Sequence, residues 1–134
     1  MDKDVFWLRI SFWVGAISDA VVGMAMLCPW LIGKAYGLDN FNPGSEYMYA
    51  MGMGAALMFG WTVLLIWADR KPLQRKGILI ITVFPVIIGL MAAEAYAVKS
   101  GFISLGEMAP SWIYQAFLIW LFSYSYFRAR KYGA

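Results

Sequence analysis

Asp19, Glu94 and Gln115 are the side chains in this sequence whose type and setting could carry chemistry, because each lies inside a long apolar stretch. A carboxylate at mid-membrane costs roughly 2.5–3.5 kcal/mol on insertion scales, so such a group is expected to be protonated, partnered or facing water, and it marks where a function would reside. Counting a 1.5 Å rise per residue from the basic or glycine end of each stretch puts Asp19 roughly 15 Å above Arg9, Gln115 roughly 20 Å above Arg128 and Glu94 roughly 25 Å above Gly77. The three form a rising polar ladder in which Gln115 is best placed to lie between the two acids. Two carboxyls and an amide at neighbouring depths can hold a proton, a small cation or the polar group of a ligand. Asp19 also has a structural reading as interhelical glue, flanked by Gly15 and Gly23 one turn to either side. Interhelical hydrogen bonds in membranes average only ~0.6 kcal/mol, which does not repay a carboxylate at the midplane. Glu94, one or two turns from the outer boundary, can instead snorkel to water.

The chain contains no His and a single Cys, Cys28. The usual zinc, haem and copper ligand sets are therefore missing, and so are Ser-His and Cys-His nucleophile pairs. No metal site and no bond-cleaving activity are expected. Ser18, Thr62, Thr82 and Ser123 can each bond a carbonyl one turn back in their own helix and carry no functional weight. The nine methionines and Trp13, Trp61 and Trp120 could line an apolar ligand cavity, but bulky residues at helical spacing more simply fill core or face lipid.

The elements that must position these groups are membrane helices. Hydrophobic residues make up 62% of the chain and charged ones 14%, a balance that suits a protein coated by lipid rather than water. Four stretches of about 20 apolar residues, each enough to cross ~30 Å of hydrocarbon, fall at approximately 6–32, 47–68, 77–98 and 111–127. The expectation is an all-α integral membrane four-helix bundle, up-down-up-down, with residues 1–134 forming a single transmembrane domain. Asp19 interrupts the first stretch and no small-x-small cleavage site follows a short apolar run, so this span is expected to be retained. Pro29 is expected to kink its last turn and Pro85 to kink the third span. Ser45 is a candidate cap for the second span and Gly101 a stop for the third. The short basic loop Asp69 to Lys76 makes spans two and three antiparallel neighbours. Small residues recur at intervals of four as Gly52, Ala56 and Gly60 on the second span and as Gly89, Ala93 and Ala97 on the third. These faces are expected to pack within the bundle, or alternatively to contact another copy.

Of the eleven Lys and Arg residues, nine (Lys3, Arg9, Arg70, Lys71, Arg75, Lys76, Arg128, Arg130 and Lys131) fall on one side, and Lys34 and Lys99 on the other. Positive loops stay in the cytoplasm, so both termini are expected to be cytoplasmic. Trp7, Trp67, Tyr124 and Tyr126 near the inner boundary, with Trp30, Tyr47, Tyr49, Tyr96 and Trp112 near the outer one, agree with this frame. The net charge of +3 then reflects topology and contact with anionic lipid head groups, and nucleic acid is excluded as a partner.

The stretch WVGAISDAVVGMAMLCPWLIGKAYGL, the basic loop ADRKPLQRKG and the proline-bearing third span resemble small four-helix membrane proteins of bacteria and archaea of the DoxX-like and uncharacterised kinds. The resemblance implies architecture, and in some members an association with quinone-linked oxidation; it implies no site residue. It also implies a prokaryotic inner membrane. Two functions follow. One is a non-enzymatic protein serving as accessory subunit of a larger membrane complex, or binding an apolar ligand such as a lipid or quinone within the bundle. The other is a small homo-oligomeric transporter or channel that uses Asp19, with Glu94 and Gln115, for protons or cations.

Overall fold

The computed structural model describes residues 2–132, and among them every regular element is helical. In chain order these are α1 (Asp2–Met26), α2 (Pro29–Ala35), α3 (Ser45–Asp69), α4 (Pro72–Arg75), α5 (Gly77–Ile81), a wide π-type turn over Thr82–Ile87, α6 (Ile88–Lys99) and α7 (Leu105–Ala129). By length and composition three segments suffice to cross a membrane: Asp2–Met26, Ser45–Asp69 and Pro72–Lys99. These long apolar helices are consistent with embedding in a bilayer. The fourth expected span lies within α7, which has 25 residues like α1 and α3 but is not among the three. Ser111, Gln115, Ser123, Ser125 and three tyrosines make it the more polar rod.

The first expected span, 6–32, is corrected to two helices. In a continuous helix Pro29 would lack a donor and press its ring on the Ala25 carbonyl; instead α1 ends at Met26 and Pro29 opens α2. A left-handed Gly37 (φ 63°) then closes α2, with Leu38 N–H donating to the Gly33 carbonyl at 2.8 Å. Gly101 ends α6 in the same way, as its position predicts, with φ 75° and Phe102 N–H on the Ala97 carbonyl at 3.0 Å. At Pro85 the third rod breaks: Phe84 is extended (φ −131°, ψ 115°), so α5 and α6 are separate pieces. Gly44, not Ser45, is the N-cap of α3. The loop expected through Pro110 is shorter, because α7 starts at Leu105 with Glu107 N–H bonded to Ser104 Oγ at 3.3 Å. Ser104 and Glu107 have the spacing of a capping box, a start signal that Pro110 obscured.

α1 packs most extensively on α3 and next on α7, while α7 also borders α5, the π-type turn and α6. α3 and the third rod, expected to be close neighbours, do not pack closely on one another; α3 lies against α1, and its link to the third rod is Trp61 Nε1 donating to Thr82 Oγ1 at 3.0 Å. Leu8, Phe12, Leu65, Leu79, Leu121 and Phe122 are fully buried where the rods meet.

Candidate functional site

Helix geometry brings the polar ladder to one place. Asp19 of α1, Glu94 of α6 and Gln115 of α7 line a partly open cavity of about 140 Å³, together with Met58 of α3, Leu90 of α6 and Leu118 of α7. α7 borders both α1 and the third rod, so its Gln115 faces the cavity between the two acids. The amide nitrogen is committed to one of them: Gln115 Nε2 donates to Glu94 Oε1 at 2.9 Å. The expected bond from Gln115 to Asp19 is not the one formed. Asp19 Oδ2 and Gln115 Oε1 are buried acceptors that meet no donor among the described residues, while Glu94 also has the Trp112 indole beside it. With Asp19 Oδ2 left as an unmet acceptor, the site suits a proton, a water or a small cation.

Two tyrosines that sequence reading passed over complete the lining. Ser18 Oγ donates to the Val14 carbonyl at 2.6 Å, as a helix hydroxyl should, which leaves it to accept from Tyr114 Oη at 2.6 Å. Tyr36 Oη lies 3.4 Å from Ser111 Oγ at the outer end. Tyr36 reaches the cavity because the chain breaks after Met26 and α2 takes its own direction; an unbroken first span hides this. Toward the basic end the packed core of Leu8, Phe12, Leu121 and Phe122 follows.

A quinone does not fit here. Pockets for organic ligands run to about 300–1,000 Å³ and are mainly apolar, whereas this one is about 140 Å³ and presents two carboxyls. That space holds a handful of waters at ~30 Å³ each. The tryptophans do not frame a common pocket either: Trp13 is half-exposed and donates to Asp69 Oδ2 at 3.2 Å, Trp61 serves Thr82, and Trp120 stacks on Tyr124 at 5.5 Å. Among the described residues no three His, Cys, Asp or Glu side chains come together as a metal would require.

The glycines divide sharply. A Cβ on Gly15 would stand 3.0 Å from both Leu65 and Phe122, and one on Gly23 would stand 3.0 Å from Phe59, so these two allow α1 to approach its neighbours closely. A Cβ on Gly52, Gly60 or Gly89 would meet nothing within 4 Å, and Ala56 and Ala93 are exposed. The expectation that this second set packs within the bundle is therefore corrected: their faces point away from the chain.

A second polar cluster, absent from the sequence reading, joins the chain's two ends. Asp4 is buried, with Arg128 Nε at 2.8 Å, Lys131 Nζ at 2.9 Å and Tyr132 Oη at 3.0 Å. The Asp4 carboxylate holds the Lys131 ammonium above the ordinary lysine range. One turn deeper Ser11 Oγ donates to Ser125 Oγ at 2.8 Å, and Ser125 donates to the Trp7 carbonyl at 3.2 Å. Partners more than a hundred residues apart leave no local signal, and the basic residues involved read from sequence as topology determinants alone.

No protein family, curated protein or solved structure matches the chain. The resemblance to DoxX-like proteins thus has no matching family behind it, and what stands is an all-α architecture among the described residues with three long apolar helices.

Proposed function

We propose that this is a polytopic protein of a prokaryotic inner membrane that acts by binding rather than bond cleavage, and that its working site accepts a proton or a small cation between Asp19 and Glu94. The observation that carries the reading is the convergence of two carboxyls, Asp19 and Glu94, on one small cavity, with Asp19 Oδ2 unmet by any donor among the described residues. Ionisable residues inside membranes characteristically mark proton and ion sites. The frame is a single domain of four spans, up-down-up-down, with both termini cytoplasmic. Although α7 is the most polar rod, its 25 residues extend for about 37 Å, more than the ~30 Å core, and it packs along α1. The buried apolar core toward the basic end, Leu8, Phe12, Leu121 and Phe122, supports a binding site rather than an open pore.

Infrared difference spectra of the reconstituted protein between alkaline and acid pH report carboxyl protonation. The expected result is a buried protonated-carboxyl band that disappears in Asp19→Asn and weakens as sodium is raised. A spectrum indifferent to Asp19→Asn defeats the proposal.

A second reading, subunit of a homo-oligomer or larger membrane complex, is favoured by the outward small-residue faces at Gly52, Ala56 and Gly60 and at Gly89 and Ala93. It is compatible with the first, since a partner helix could cover these faces without entering the cavity.

A further inference from the structure

At the basic end of the molecule, away from the cavity, the start of α1 and the short helix α4 enclose a groove. Two adjoining hollows of about 360 and 320 Å³ share Val5, Arg9 and Leu73 as common wall. The floor is apolar, made by Val5, Phe6, Pro72 and Leu73. Of the polar residues, Arg9 and Lys71 are cationic, Gln74 is neutral, and Asp2 stands on the second hollow, where Lys71 is not a wall residue. Arg9 has donors to spare: its ion pair with Asp69 spans 3.7 Å, and Asp69 already accepts from Trp13. Lys71 is exposed and forms no ion pair among the described residues.

We propose that this groove seats one anionic phospholipid of the leaflet bordering the basic ends, with its phosphate between Arg9 and Lys71 and the start of its acyl chains along Val5, Phe6 and Leu73. Charge complementarity and the mixed lining select this occupant. A planar guanidinium offers paired donors matched to phosphate oxygens, and a nearby ammonium adds a mobile point charge. A soluble anion would gain nothing from the apolar floor, and a zwitterionic lipid would bring its own cation against Arg9 and Lys71. The groove also lies at the level where head groups meet hydrocarbon, since Phe6 is exposed and Trp13 lies one turn beyond Arg9 toward the core. The inference uses the membrane frame but not the cavity chemistry, so either can fail without the other.

Native mass spectrometry of the full chain in mild detergent, equilibrated with equal amounts of phosphatidylglycerol and phosphatidylcholine of identical acyl chains, tests it. One phosphatidylglycerol should be retained preferentially. The preference should fall about five-fold in Arg9→Gln and in Lys71→Gln, and about thirty-fold in the pair, as expected from the worth of one basic residue at an anionic surface. Arg130→Gln, on the same side but outside the groove, should leave it unchanged. Should Arg9→Gln fail to fold, Lys71→Gln carries the test alone. Equal retention of the two lipids, an equal loss in Arg130→Gln, or displacement of the lipid by millimolar inorganic phosphate would overturn the proposal.

Discussion

Asp19 differs from the other buried acids in what it meets. Asp4 is surrounded by Arg128, Lys131 and Tyr132, and Glu94 has the Gln115 amide, whereas Asp19 Oδ2 has no donor among the described residues. A buried polar group without a partner lowers stability, and replacing it by an apolar group of similar volume is neutral or stabilising. Residues of this kind persist for function rather than for folding. Asp19→Leu should therefore unfold no more easily than the native chain, and up to about 3 kcal/mol less easily, the cost of a mid-membrane carboxylate. Proton or cation uptake should be lost at the same time. Titration with a denaturing detergent supplies the stability, and a loss of 1 kcal/mol or more would make Asp19 interhelical glue instead.

The same logic at the level of helices separates glycines that hold rods together from glycines that wait for a partner. α1 approaches α3 and α7 through Gly15 and Gly23, while α3 turns Gly52 and Gly60 outward and buries only 11% of its most apolar stretch within the chain. Gly15→Leu should cost about 1–3 kcal/mol, the usual penalty for overpacking against neighbours that cannot withdraw. Gly52→Leu should leave monomer stability within about 0.5 kcal/mol, as for a surface change, yet reduce association with copies or partners. Thermal melts and sedimentation in the same detergent distinguish these outcomes; equal destabilisation by both would place the Gly52 face inside the bundle after all. Sequence could not have told the two sets apart. α3 is apolar all round, so no contrast between faces fixes its rotation, and four-residue spacing alone does not say toward what the small residues point. Axial position is legible where rotation is not: a constant rise places Asp19, Gln115 and Glu94 at neighbouring depths, and Gly101 and Pro85 announce a stop and a break through local backbone chemistry. The break before α2 was legible only as a kink at Pro29, so Tyr36 at the cavity was missed.

For the whole molecule the decisive quantity is the sidedness of charge. The clamp from Asp4 to Arg128, Lys131 and Tyr132 puts both ends of the described chain together, and Lys76 Nζ donates to the Tyr132 carbonyl at the same end. This agrees with the proposed frame, in which nine of the eleven basic residues lie toward that end and positive-inside insertion would direct it to the cytoplasm. Were α7 to lie along the surface instead, Arg128 and Lys131 would be carried away from Asp4, leaving its carboxylate buried and unpaired. The clamp therefore supports the proposed traverse of α7. Single cysteines in a Cys28→Ser background make this measurable in intact cells. Asn42→Cys, in the exposed loop before α3, should react with a membrane-impermeant thiol reagent added outside, whereas Gln74→Cys and Arg130→Cys should react only after permeabilisation. Labelling of Gln74→Cys from outside would invert the topology. Labelling of Arg130→Cys alone would instead leave α7 on the outer face, and the terminal clamp could not then form.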